Sequence, residues 1–298
     1  MNQSKVANNM STVNKKQKNQ NEKLNIKIVI ATHKKYRMPE DDIYLPLHVG
    51  AEGRTPLGYQ GDNIGDNISI MNPHFCELTG MYWMWKNLKA DYLGLVHYRR
   101  HFCFRKKGAS KGVDGDVSKW TSLLSSKEAQ VLCRQYDAIV PFKRKYVIES
   151  LESHYAHTHY KEHLEKTREI ITKRYPQYLD NYDRVLKQKS GYMFNMFLMR
   201  SDLVDEYCAF LFDVLFELDK NVDTSNYSAF QARYPGRVGE ILFNVWLDKK
   251  VRDGQDTKAQ SLKVKEIKHI HMESINWWNK GMAFLKAKFF GKRYEHGF

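Results

Sequence analysis

His97, Tyr98, Arg99 and Arg100 follow without a break on the apolar run from Tyr92 to Val96. An imidazole beside two guanidiniums is chemistry for phosphate. The guanidinium fork meets paired phosphate oxygens, and histidine adds a hydrogen-bonding or metal-ligating nitrogen. Two other apolar runs end in a similar way. Ile26 to Ala31 gives way to Thr32, His33 and Lys34, and Ala138 to Pro141 is followed, after Phe142, by Lys143 and Arg144. Three run ends carrying cations suit a di- or triphosphate-like ligand, although Lys143 and Arg144 read equally well as a solvated pair.

A second group of candidates is histidine-rich: His154, His157, His159 and His163. His159 and His163 have the i, i+4 spacing that lets two imidazoles share a metal on one helix face. HYKEH is not the H-E-x-x-H arrangement, however, and no cysteine or carboxylate is placed to complete a site. A solvated or acceptor-facing helix is the expectation there.

Delivering the first group to one place requires an alternation of strands and helices. The start of LNIKIVIATHKKYRMP reads as a strand ending in a loop, DYLGLVHYRR as a near-continuous buried strand and DAIVPFKR (137–144) as another short buried strand. The segment NPHFCELTGMYWMWKNLKA between the first two reads as one helix. Asn72 would be its N-cap, Pro73 its first residue, and Leu78, Tyr82, Trp85 and Leu88 its apolar face, with Trp83 also in the core. SLLSSKEAQVLCRQY reads as a helix opening near Ser125 or Ser126. Strand, helix, strand, helix, strand predicts an α/β layer, whose ligands sit beyond the carboxyl ends of its strands. Further along, 150–176 and 201–222 read as helices and SGYMFNMFLMR as one strand, in which Asn195 needs a partner. A helix opening at Glu240 behind Gly236, Arg237 and Gly239 follows, and then a strand in SLKVKEIKHIHME.

Composition narrows the function classes. The 298 residues carry a formal charge of +14, which calls for an anionic partner. No stretch reaches 18 consecutive apolar residues, and residues 1–24 form a polar arm without a signal-peptide centre, so a cytoplasmic chain is expected. Cys76, Cys103, Cys133 and Cys208 show no metal or redox spacing and read as reduced thiols. P-loop, dinucleotide and nucleophile-elbow motifs are absent.

Six stretches in order, KIVIATHKKYRMP, GDNIGDNIS, NPHFCELTGMYWMWKN, YLGLVHYRRHF, YMFNMFLM and GRVGEILFNVWL, resemble the domain of unknown function 4422 found in bacterial capsular and exopolysaccharide gene clusters. The resemblance implies a GT-A-like α/β glycosyltransferase: a Rossmann-like, mostly parallel central sheet flanked by helices, with helical C-terminal additions. It implies one domain over 25–275, with a donor half at about 25–145 and an acceptor half at about 146–275. The activity implied is inverting transfer of a hexose, galactose or galactofuranose being favoured, from a UDP-sugar to a growing capsular, exopolysaccharide or O-antigen acceptor carried on polyprenyl diphosphate. Thr32, His33, Lys34, Asp66, Asn67, His97, Arg99 and Arg100 are then the donor-binding candidates. Asn195 and Arg237 are the acceptor- or sugar-binding ones, and Glu240 is the catalytic base. Glu240 reads alternatively as a first-turn carboxylate facing the helix dipole, Asp66 and Asn67 as turn formers, and Asn195 as a structural hydrogen bonder.

Where GT-A enzymes usually hold a divalent cation on Asp-x-Asp, this chain has His97 to Arg100. The expectation is that Arg99 and Arg100 offset the leaving diphosphate's charge and that no metal is required, with Mn²⁺ or Mg²⁺ on His97 as the alternative. The basic, aromatic tail over 276–298 would rest on an anionic membrane at the inner face of the cell or, alternatively, pack as a helix with a solvated basic face. The competing class is a nucleic-acid-binding module without enzymatic activity. It is disfavoured because the basic residues form no known reading element, so nucleic acid is not expected as a partner. A phosphotransferase is disfavoured because no tight carboxylate pair marks a two-metal centre.

Overall fold

The computed structural model describes residues 22–104, 119–146, 148–256 and 261–273. The arm expected over 1–24 lies outside them up to residue 21, and the tail expected over 276–298 lies outside them altogether. Leu24 already belongs to the folded part, because both its backbone groups bond to the Gln130 side chain at 3.1 and 2.6 Å.

β1 (Ile26–Thr32) is buried along almost its whole length. Full burial of Ile28 and Ile30 contributes about 1.5–3 kcal/mol each. β2 (Tyr44–His48) and β3 (Gln60–Gly61) add in parallel on one side of β1, and β4 (Tyr92–His97) in parallel on the other. After His97 the chain reverses, and β5 (Arg100–Cys103) runs back with Arg100 opposite His97. The expected continuous run through Arg100 is therefore a strand and a tight return. Gly94 is the point of closest approach, since a Cβ there would stand 2.9 Å from the Phe197 carbonyl oxygen. β6 (Ala138–Pro141) leads through Phe142 into β7 (Arg144–Lys145), which pairs with β8 (Ser190–Gly191).

The expected strand over 190–200 is broken. Phe194 and Asn195 take φ of +85° and +48°, and only after them does β9 (Phe197–Arg200) begin, antiparallel to both β4 and β6. β10 (Val264–His271) lies parallel to β6 and antiparallel to β5. Among the described residues the sheet is thus mixed, with eight strands, and β4, β9, β6, β10 and β5 close a ring of pairings.

The helix expected over 72–90 is two. α1 (Asn72–Phe75) stops at Cys76, whose φ of +50° breaks it, and α2 (Leu78–Asn87) starts afresh after Glu77. Met71, not Asn72, caps α1. α3 (Ser126–Gln135) opens on a capping box formed by Ser125 and Glu128. The 150–176 stretch divides into α4 (Leu151–Thr158) and α5 (Glu162–Arg174). α6 (Leu179–Leu186), α7 (Ser201–Asn221) and α8 (Tyr234–Asp256) follow. Ile28, Ile30 and Val96 pack with α3 on one face of the sheet, whereas Val29, Ala31, Leu93 and Leu95 pack with α2, α7 and α8 on the other.

Candidate functional site

β1, β4, β6 and β10 all point the same way, so their C-terminal ends meet at one edge. β5 and β9 run oppositely and begin there. That edge gathers His33 and Lys34, His97 to Arg100, Phe194 and Asn195, and Glu273. Chain topology alone collects them from positions up to 240 residues apart.

One group centres on His33. Its imidazole is held below the usual histidine range by burial and by four cations around it: Arg99, Lys34, Arg233 and Arg54. The ring meets Tyr98 edge to face at 5.3 Å, and Tyr36 meets the same tyrosine at 5.0 Å. Glu273 is the counter-charge here, 3.2 Å from Lys34 Nζ and 3.7 Å from Arg99 Nη1. Neither Arg54 nor Arg233 has a carboxylate within ion-pair distance among the described residues, which leaves two guanidiniums for an anion. The loop bearing Arg54 is fixed from below by Asp62, whose buried carboxylate accepts from Gly50 N, Ala51 N and Thr79 Oγ1 at 2.9, 3.0 and 2.6 Å. Gly50 has to be glycine: its φ is +66°, and a Cβ would fall 2.4 Å from Asn72 Oδ1.

The second group centres on Arg100. Burial pulls this guanidinium down to about 10, while Glu77 and Glu240 hold it up, and it stays a cation at neutral pH. Its Cζ lies 4.3 Å from the centre of the Phe194 ring. Glu240 Oε1 accepts from Phe194 N at 2.9 Å and stands 3.8 Å from Arg237 Nη1. Asn195 Nδ2 donates to Glu77 Oε1 at 2.9 Å and to the Gly236 carbonyl at 3.0 Å. Arg237 is held above its ordinary value because Glu240 and Glu77 outweigh its burial. Two arginines and two glutamates thus surround a turn of two residues with positive φ. Such a backbone costs about 1–3 kcal/mol per residue and is characteristic of sites where geometry is imposed.

His97 lies between the groups. Its Nδ1 accepts from Arg99 N at 3.2 Å, and burial together with Arg100 and Arg99 keeps the ring neutral, well below its ordinary pKa. A divalent cation fits poorly on it. The standing charges acting on His97 are the cations of Arg100 and Arg99, and no group of three or more His, Cys, Asp and Glu side chains among the described residues is placed to hold a metal.

Residues 27–251 match the family described as a domain of unknown function, DUF4422. The chain belongs to the DUF4422 family. Among solved structures it is similar to the WbbM bifunctional glycosyltransferase in its apo form, with 32% identity and a TM-score of 0.75 over 84% of this chain and 46% of that one. The chain therefore spans about half the length of WbbM. No curated protein sequence matches it.

For this DUF4422 chain the structure brings together His33, Lys34, His97, Arg99, Arg100, Asn195, Arg237 and Glu240. Thr32 is at the same edge but turned inward, buried, with its Oγ1 donating to the Lys34 carbonyl at 2.7 Å. Asp66 and Asn67 stand apart. Asp66 accepts from Tyr82 OH at 3.1 Å, its carbonyl accepts from Asn87 Nδ2 at 2.8 Å, and Asn67 closes its own turn on Gly65 and Ser69. They sit by the last turns of α2, whereas Glu77 precedes its first, about 15 Å away by helix rise. α8 begins at Tyr234, so Glu240 belongs to its second turn and its side chain reaches Phe194, not the helix's own N-terminus. His159 and His163 share no helix face. His159 caps α4 and bonds Gln231, while His163 sits between Tyr155 and Tyr227.

Sequence reasoning missed Glu77, Arg54, Arg233 and Glu273. The last three announce themselves only through tertiary placement. Glu77 was hidden inside a stretch that reads as uninterrupted helix.

Among the described residues no helix is long and apolar enough to cross a membrane.

Proposed function

We propose that the chain is a glycosyltransferase that moves a hexose from a UDP-sugar to a glycan acceptor, by inversion and without a required metal. The observation that carries the reading is the pairing of Glu240 with a cationic edge: one of its carboxylate oxygens accepts from Phe194 N at 2.9 Å, beside Arg100 and Arg237. Likeness to WbbM, a bifunctional glycosyltransferase, supports the class of reaction.

In this reading the donor's diphosphate lies among Lys34, Arg54, Arg99 and Arg233, with His97 as a neutral hydrogen-bonding group. Glu240 takes the proton of an acceptor hydroxyl through its second oxygen. The acceptor's hydroxyl oxygen, as it loses that proton, attacks the anomeric carbon while the bond from the anomeric carbon to the diphosphate breaks, and the electron pair leaves on the nucleotide. The guanidiniums offset the charge that develops there. Galactose or galactofuranose is the favoured hexose. A polyprenyl-diphosphate-linked capsular, exopolysaccharide or O-antigen chain is the favoured acceptor, met at the inner face of the cell membrane with help from the basic tail over 276–298.

The test is incubation of the full chain with a panel of UDP-sugars, including both ring forms of galactose, in EDTA or Mn²⁺, with binding and UDP release measured. Selective binding that survives EDTA supports the reading. A strict requirement for Mn²⁺ overturns the metal-free part, and absence of binding under both conditions overturns the whole.

A further inference from the structure

Three non-glycine residues among those described have positive φ: Cys76, Phe194 and Asn195. The hydrogen bond from Asn195 Nδ2 to Glu77 Oε1, 2.9 Å long, joins the break between α1 and α2 to the break before β9. Together the two breaks bring a second carboxylate, Glu77, near enough to act on Arg100 alongside Glu240.

The rest of the local geometry agrees. Glu77 precedes α2 yet makes no capping bond to it, so its side chain is directed elsewhere. Asn195 is 4% exposed, and its Oδ1 has no hydrogen-bond partner among the described residues. Among the described residues the Glu77 side chain spends Oε1 on Asn195 and makes no second hydrogen bond, so Oε2 is a free acceptor near the partly buried Arg100. An ionised carboxylate accepts only, and the donors a nucleotide sugar offers beyond its diphosphate are hydroxyls.

Resting on the transferase reading above, we propose that Glu77 reads the transferred hexose: its Oε2 accepts a hydrogen bond from one ring hydroxyl of the donor sugar, and Asn195 positions it. Glu77 then sets which hexose is accepted, whereas Glu240 performs the proton transfer. A site built to bond a hydroxyl strongly rejects the analogue that lacks it.

The test compares the preferred UDP-hexose with its singly deoxygenated analogues, using wild-type chain, Glu77→Gln and Asn195→Ala. The Gln variant can still accept from Asn195 through its amide oxygen, so the fold is kept, and an unchanged Tm checks this. The wild type should reject one deoxy analogue by about a hundredfold or more in kcat/KM. Glu77→Gln should lose about a hundredfold on the parent donor and less than about threefold on that analogue, so that the two converge. Asn195→Ala should show the same convergence more weakly. An equal loss on parent and analogue, or a fall in kcat alone on every donor, overturns the proposal, the latter by making Glu77 the base. If the wild type turns over no UDP-hexose, the transferase reading itself fails and takes this inference with it.

Discussion

The Phe194 amide donates to Glu240 Oε1 over 2.9 Å, tying the strained turn before β9 to the second turn of α8. One oxygen of the carboxylate is thereby fixed and the other left for chemistry. Glu240→Gln keeps the acceptor for Phe194 and removes only the proton-accepting charge. Transfer should fall by about 10²–10⁴-fold with donor affinity unchanged. Titration calorimetry with UDP beside a UDP-release assay checks this, and near-normal turnover refutes the base assignment.

Arg99 and Arg100 are neighbours in sequence with different consequences. Arg99 is 37% exposed and its contact with Glu273 is long, 3.7 Å; such a pair contributes about 0–1 kcal/mol. Arg99→Ala should therefore leave Tm nearly unchanged while weakening UDP binding about tenfold in EDTA. Arg100 is partly buried and faces the charges of Glu77 and Glu240, and leaving such groups without their counter-charge costs about 1–3 kcal/mol. Arg100→Ala should lower Tm by several degrees as well as abolish transfer. Equal thermal behaviour of the two variants in calorimetry would count against this division.

Much of the sheet was legible, because burial on both faces leaves an unmistakable apolar run. Ile26–Ala31, Tyr92–Val96 and Ala138–Pro141 lie where their patterns put them, and the Ser125 cap follows from Ser and Glu at capping-box spacing. The candidate site was legible only at strand ends, where cations follow directly on a strand. Cys76 was not legible as a break, since neither Gly nor Pro adjoins it and the cause is tertiary. Asn195 carried a usable signal: asparagine tolerates left-handed backbone better than most residues, and an Asn inside an apolar run argues for a turn as much as for a buried partner.

Gly94 controls how closely β4 and β9 approach. A methyl group there would stand 2.9 Å from the Phe197 carbonyl and 3.2 Å from Leu198 Cδ1. The carbonyl is backbone and cannot rotate away, so β9 must shift, and with it the Asn195 turn that precedes it. Gly94→Ala should destabilise by about 1–3 kcal/mol and reduce transfer beyond what the loss of folded protein explains. Chemical denaturation paired with activity per folded molecule separates the two effects.

Buried neutral histidines give the fold a pH dependence whose sign can be worked out. Burial pushes His101 and His154 down to about 4 and His159 to about 3, and in the unfolded chain each returns to about 6.5. Between those values the unfolded state binds protons that the folded state refuses. The stability from these groups is complete above about pH 6.5 and is lost as pH falls toward 4, with a combined slope of at most about 4 kcal/mol per pH unit. Tm by scanning calorimetry should therefore be lower at pH 5.5 than at 7.5. His159 supplies an internal control: its Nδ1 meets Gln231 Oε1 at 3.1 Å and its ring stacks on Phe230. His159→Asn should lower Tm at pH 7.5 yet flatten the dependence between the two pH values, since one of the refused protons is gone. A slope unchanged by that substitution would show that His159 titrates alike in the folded and unfolded chain, against the burial that holds its ring neutral.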